Sequence, residues 1–293
     1  MRAVLEEAKA KNVVSKLIEM SMIDNNGLEE TAFTMSCTKQ TQITKLLLEN
    51  NADLNKRVRN VLTPLQKASR QGNLSTVELL LDNGVNVDSH SLLTANGRTM
   101  DTVNWNTPLV WACKEGHIMI IKKLIEHNAN AEATEGPNGN FPFLANVVER
   151  KQLDVLEVLL TSELKWTEKC FRKPDGRTIL HMAAARNNHK MVELILNTPV
   201  GKALINDQGE YKSVTPLGDA ICFDGDLDMA KLLIENGAKI KIKSDKKTPL
   251  KLAKNKGKQS IADFLDSKTK KRSEDSDSDS GSDNGSGKSG LIW

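Results

Sequence analysis

Apolar residues recur along the chain at spacings of three and four, in short bursts that stop at glycine or asparagine. Val77, Leu80 and Leu81 form one burst; Ile121, Leu124 and Ile125 form another. This spacing puts the side chains on one face of a helix of two to three turns. Each burst follows a turn, at Gly72 or Gly116, and before that turn stands an anchor: Thr-Pro-Leu with a small residue three positions after the leucine. Threonine at an N-cap offers its hydroxyl to an orphan backbone N–H, and proline suits the first helical position. The predicted unit is a pair of short antiparallel helices joined by a turn.

The anchor recurs. It reads TPLQKAS from Thr63, TPLVWAC from Thr107, TPLGDAI from Thr215 and TPLKLAK from Thr248. Weaker copies are TAFTMSC from Thr31, FPFLANV from Phe141 and TILHMAA from Thr178. Successive anchors lie 32, 44, 34, 37, 37 and 33 residues apart. After each second helix, Asn51, Gly84, Asn128 and Gly237 stand where a left-handed C-cap is wanted. One such unit cannot bury its own apolar face, so stacking against the next must supply the core.

This pattern resembles the ankyrin repeat, whose signature includes Thr-Pro-Leu-His-x-Ala at a period of 33. Only Leu180-His181 keeps the histidine of that motif. The expected fold is an all-α ankyrin-repeat solenoid of about seven to eight helix-turn-helix units with hairpin fingers, plus a disordered acidic C-terminal tail. The expected domain spans 1–266, with an N-cap unit at 1–26 and a C-cap at 246–266. Repeats are expected near 29–58, 61–88, 105–137, 139–174, 176–210 and 213–243, with an inserted finger at 89–105. Two further segments exceed the period, Glu163–Pro174 and Pro199–Ser213. Insertions in repeat proteins fall in loops on one face, often the binding face.

Composition adds to this picture. Apolar residues are 39%, charged residues 27% and aromatics only 4%, so the core must be Leu, Ile, Val and Ala, which suits closely stacked helices. No apolar run approaches the roughly 20 residues that cross a bilayer, and no membrane partner is expected. Cys37, Cys113, Cys170 and Cys222 form no CxxC pair, which favours free thiols and a cytoplasmic or nuclear location. Cys113 and His117 lie four apart but occupy ordinary packing slots of the repeat. No cofactor, metal, small-molecule substrate or catalytic constellation is expected, and the chain is read as a monomeric non-enzyme. Nucleic acid is not an expected partner, because no stacking motif accompanies the basic residues.

The resemblance implies a protein partner held by the fingers and the first helices. Candidate contacts are Arg57, Arg59, His90, Arg98, Asp101, Trp105, Asn138, Asn140, Asp175, Arg177 and Lys212. Two roles are compatible with such a face. One is an adaptor or scaffold; the other is an inhibitor or assembly chaperone that masks a partner surface. Asn55, in its Asp-Leu-Asn context, resembles a hydroxylation site of some ankyrin proteins. Leu291-Ile292-Trp293 is not expected to have a function.

From Lys239 to Arg272 the chain has 13 basic residues against three acids, and from Ser273 to Trp293 five acids against one base. A near-neutral whole, net +3, therefore conceals a charge reversal. Ser276 and Ser280 each have an acid three residues later, which makes them phosphorylation candidates. Two readings stay open: a solvated basic cap with a solubilising tail, or an acidic stretch that folds back on the Lys-rich cap and masks it. Masking predicts that deleting 273–293 raises the binding of acidic ligands at low salt; unchanged affinity by titration would argue against it.

Overall fold

The computed structural model describes residues 29–54, 62–89, 93–95, 98–100, 106–132, 134–135, 141–166, 168–209, 214–244 and 246–277, with Ser21–Ile23 and the isolated helical residues Val13 and Lys16 before them. Helices come in pairs along this stretch. The first helices are α1 (Ala32–Ser36), α3 (Pro64–Gln71), α5 (Pro108–Glu115), α7 (Phe143–Glu149), α9 (Ile179–Ala185), α12 (Pro216–Cys222) and α14 (Pro249–Asn255). The second helices are α2 (Thr41–Glu49), α4 (Leu74–Asp82), α6 (Ile118–Glu126), α8 (Leu153–Thr161), α10 (His189–Leu196), α13 (Leu227–Glu235) and α15 (Gln259–Asp277). A short extra helix, α11 (Pro199–Ala203), follows α10.

First helices pack on first helices from α1 to α14, and second on second from α2 to α10 and again at α13 with α15, so the repeats form one continuous row. Among the described residues, three antiparallel hairpins join successive units: β1 (Ser21–Ile23) with β2 (Glu29–Thr31), β3 (Leu93–Ala95) with β4 (Arg98–Met100), and β5 (Thr134–Glu135) with β6 (Phe141–Pro142). The β3–β4 pair lies inside the insertion after Asp88 and lengthens that finger, as its spacing required. The expected caps are present. Gly72 and Gly116 end first helices at φ 76° and 75°, and Asn51, Gly84, Asn128 and Gly237 all have positive φ.

At the Thr63 and Thr178 anchors a hydrogen-bond relay ties the unit to its successor. In the Thr178 unit, the backbone N–H of Thr178 donates to His181 Nδ1 (3.2 Å), and Nε2–H of that ring donates to the carbonyl of Val214 (2.7 Å), the residue before the next anchor. Burial holds this imidazole neutral, its pKa lowered from 6.5 to about 4. In the Thr63 unit, Gln66 does the same work: the Thr63 N–H donates to Oε1 (2.8 Å) and Nε2–H donates to the Asn106 carbonyl (2.7 Å), again one residue before an anchor. In the Thr215 unit the position is Gly218, and Ser244 from the following finger fills the space. Its hydroxyl accepts from the Thr215 N–H at 3.0 Å, and a Cβ on Gly218 would lie 2.3 Å from it.

At the other end of the first helices, orphan carbonyls are also met by the next unit. Asn73 donates to the Thr38 carbonyl, the His117 ring lies 3.1 Å from that of Arg70, and Gln152 donates to that of Cys113. Lys258 Nζ donates to three, those of Ala220, Phe223 and Gly225. The core runs unbroken between the two rows, from Phe33 through Leu109 and Leu180 to Leu265.

Three expectations need correction. The insertion Glu163–Pro174 adds to the core instead of forming a free loop: Trp166 stacks edge-on to Phe171 at 5.6 Å and leans on Phe143 at 6.2 Å. The segment Pro199–Ser213 begins with α11 and buries Leu204 and Ile205. The tail was expected to leave the fold at 267, yet α15 continues through Asp277. Burial ends at Leu265, but no glycine or proline stops the helix there, and Asp266 pairs with Lys270 at 2.9 Å one turn on. Residues 278–293 and most of the N-cap unit lie outside the described residues.

Gln66→Leu is expected to cost about 1–3 kcal/mol in urea unfolding at any pH, because it orphans two buried backbone groups. Gln66→His should keep neutral-pH stability within about 1 kcal/mol, since His181 shows that an imidazole fits the relay. The new imidazole must stay neutral, so the unfolded state binds the proton first. Gln66→His should therefore lose more stability than the parent as pH falls from 6.5 towards 4. Equal pH profiles would refute the shared geometry.

Candidate functional site

The first-helix row carries two places where a cation lies over an aromatic ring. At one, Trp111 of α5 stands half-buried with the Arg70 guanidinium of α3 4.6 Å from its centroid and Lys114 Nζ at 5.3 Å. Arg70 Nε is 3.9 Å from Glu115 Oε1, and Arg150 reaches across to the Lys114 carbonyl. The Trp111 indole N–H has no hydrogen-bond partner. A shielded indole N–H without an acceptor costs roughly 1–3 kcal/mol.

At the other, Arg177, just before α9, lies 5.1 Å over the ring of Phe223, which is 50% exposed at the end of α12. The same guanidinium donates to Asp219 Oδ1 at 3.1 Å. Asp219 is buried, and its Oδ2 has no partner. Burial pushes this carboxyl up to about 6, against the opposing pull of Arg177. Between the two places the charges are paired. Glu149 accepts from Lys173 at 3.0 Å with Arg186 at 4.0 Å, and Arg172 makes a two-pronged pair with Asp207.

The rows differ in charge. First helices with their C-caps hold eight lysines and arginines against three acids, net +5; second helices from α2 to α13 hold five lysines against nine acids, net −4. A groove of about 1090 Å³ opens on the acidic side between α6 and α8, away from both aromatic places.

Of the predicted contacts, Arg177 sits at the Phe223 place, and Asp175 is exposed and caps its own turn by accepting from the Arg177 N–H. Arg98 is placed in β4 by its backbone. Arg57, Arg59, His90, Asp101, Trp105, Asn138, Asn140 and Lys212 lie outside the described residues, as do Asn55 and Ser280. Ser276 falls in the last turn of α15. Sequence reasoning missed Trp111, Arg70 and Phe223. The available signal was the position before the small residue of the anchor, where Trp111 stands and other units have Lys67, Met182 or Asp219.

The three-copy ankyrin-repeat profile matches residues 1–91 and 144–244, and the single ankyrin repeat matches 104–135. With more than half its length matched, the chain belongs to the ankyrin-repeat family, whose repeats generally serve as protein–protein interaction modules and are generally non-catalytic. A putative ankyrin repeat protein of fowlpox virus, FPV031, is 27% identical over 58% of this chain and 48% of its own length. The palmitoyltransferase AKR1 of Lachancea kluyveri is 27% identical over 80% of this chain but only 30% of its own length. The chain thus spans half or less of these curated relatives. Among solved structures, the ankyrin repeat protein EF0377 is 27% identical with a TM-score of 0.55, covering 69% of this chain and 95% of that one. Among the described residues, no helix is long and apolar enough to cross a membrane.

Asp219→Asn should raise stability at pH 8 by about 1–3 kcal/mol and leave it nearly unchanged at pH 4. The sign follows from a folded pKa above the unfolded one: the folded state holds the proton more tightly, so ionisation above about 6 weakens it. Equal melting shifts at both pH values would show that the carboxyl ionises normally.

Proposed function

We propose that this protein is a non-catalytic adaptor or scaffold that binds another protein on its first-helix face. The supporting observation is the Arg70–Trp111 stack. Tryptophan and arginine are among the residues most enriched at interface hot spots, and here a half-buried Trp111 stands under an exposed Arg70 on the first-helix row. Membership of a family of interaction modules supports the same reading. Monomeric behaviour and a cytoplasmic or nuclear setting are part of the proposal, as is phosphorylation at Ser276 and Ser280. A phosphate at Ser276 would sit at the C-terminal end of α15, where the helix dipole disfavours it, and would loosen that last turn.

Immobilised full-length chain, Trp111→Ala and Arg70→Glu should be compared for proteins captured stoichiometrically, by quantitative mass spectrometry. Both variants are expected to lose the captured partner by tenfold or more while Arg70→Glu melts within about 2 °C of the parent. Capture unaffected by either change would move the interface elsewhere.

A further inference from the structure

The last repeat carries charge of one sign. From Lys239 to Lys258 the chain has nine lysines and one acid, Asp245. Only Lys258 is tied down, by the three carbonyls at the end of α12. Among the described residues, the other eight lysines make no side-chain hydrogen bond or ion pair. Asp266 of α15 feels the charge of Lys254 but is held by Lys270 at 2.9 Å.

The fold gathers several of these lysines at one end of the row. Lys251 occupies the third position of α14, where its N–H donates to the Thr248 hydroxyl at 3.3 Å. Gln66 and His181 stand at this position in α3 and α9 and spend their side chains on the next unit. Among the described residues no first helix follows α14, and Lys251 is left exposed. Lys254, one helical turn on, is exposed on the same side. The turn into α14 closes through the backbones of Ser244 and Lys247, at 2.8 and 3.1 Å, and brings exposed Lys243 and Lys246 beside them.

The outer side of a terminal repeat must be polar, but that duty does not require a single sign. Residues 1–26, at the opposite end of the chain, have four bases and four acids. Eight like charges with one acid among them repel one another, a cost to the fold that interleaved carboxylates would remove.

We infer that this end of the row is a second contact surface, which takes a carboxylate-rich, extended segment of a partner protein across Lys243, Lys246, Lys251 and Lys254. It goes beyond the adaptor reading above and shares none of its residues. Four helix steps separate it from Trp111, through α7, α9 and α12 to α14, or about 32–40 Å at 8–10 Å per step. A nucleic acid or an anionic bilayer would also be acidic. The stretch holds no arginine, whose planar fork matches phosphate, and no aromatic ring on which a base could stack. Its larger apolar residues, Ile240, Ile242, Leu250 and Leu252, are buried or half-buried, so none is free to enter a bilayer. Ammonium groups on flexible stems follow carboxylates at irregular spacing, which suits an unstructured acidic segment.

The test uses the full chain and fluorescein-labelled probes: a 16-residue peptide of four Asp-Glu-Ser-Gly repeats, a 16-nucleotide oligo-U RNA, and vesicles of phosphatidylcholine with phosphatidylserine. Fluorescence anisotropy and vesicle co-sedimentation should show the acidic peptide binding at least tenfold more tightly than the RNA or the vesicles, with affinity falling between 0.1 and 0.5 M salt. The double variant Lys251→Glu, Lys254→Glu should weaken peptide binding by tenfold or more. Lys45→Glu with Lys122→Glu, which alters the net charge equally on exposed positions of the second-helix row, should change it by less than threefold. Both double variants are expected to melt within about 2 °C of the parent, because all four side chains are exposed. Equal losses in the two double variants, tighter binding of RNA or vesicles, or no binding of the peptide would overturn the inference. So would binding seen only after residues 273–293 are removed, which would make the chain's own end the occupant. Trp111→Ala should bind the peptide as the parent does, so either surface can fail while the other stands.

Discussion

Every unit of this chain is too thin to keep water out on its own, and that constraint governs the rest. A pair of helices of seven to nine residues has two sides to cover and no third layer to cover them. The neighbouring pair does so, and the same contact satisfies the polar groups at the helix ends. Oil and hydrogen bonds are therefore solved together at each joint. The relay through Gln66 or His181 shows how tightly: one side chain meets an N–H in its own unit and a carbonyl in the next.

Much of the fold was legible because it is written in positions that repeat. The anchor threonines, the prolines after them and the left-handed residues after the second helices all act locally, so spacing alone located them. The extra-long spacing between Thr63 and Thr107 revealed a longer finger for the same reason. Less legible was what irregular segments do. Trp166 and Phe171 look like exposed loop aromatics in sequence, and only the position of Phe143 shows that they belong to the core. The helical run beyond Leu265 was hidden by Ser-Asp composition, although the stretch contains nothing that breaks a helix until later.

The candidate face was legible only in part. Finger residues were favoured because loops often bind, and Arg177, which the structure places over Phe223, was among them. Trp111 escaped because it lies inside the anchor motif, where attention goes to the residues that recur. Its significance comes from what it is placed beside. Arg70 is 41 residues away in sequence and comes from the preceding unit, so a pair of that kind exists only once the units are stacked. Asp219 is similar: its raised pKa and unpartnered oxygen depend on burial that no local spacing encodes.

The relay also has a direction. Gln66 and His181 reach forward to carbonyls of the following unit, while Asn73, Gln152 and Lys258 reach back to those of the preceding one. Each unit therefore completes both of its neighbours: the earlier side chain meets a carbonyl just before the later anchor, and the later side chain meets carbonyls at the end of the earlier helix. A chain leaving the ribosome would hold each newly made helix pair unfinished until about one more repeat length has emerged. Truncation at either end then exposes a wound of its own kind: shortening at the front bares a carbonyl before an anchor, whereas shortening at the back bares those at the ends of the first helices left behind.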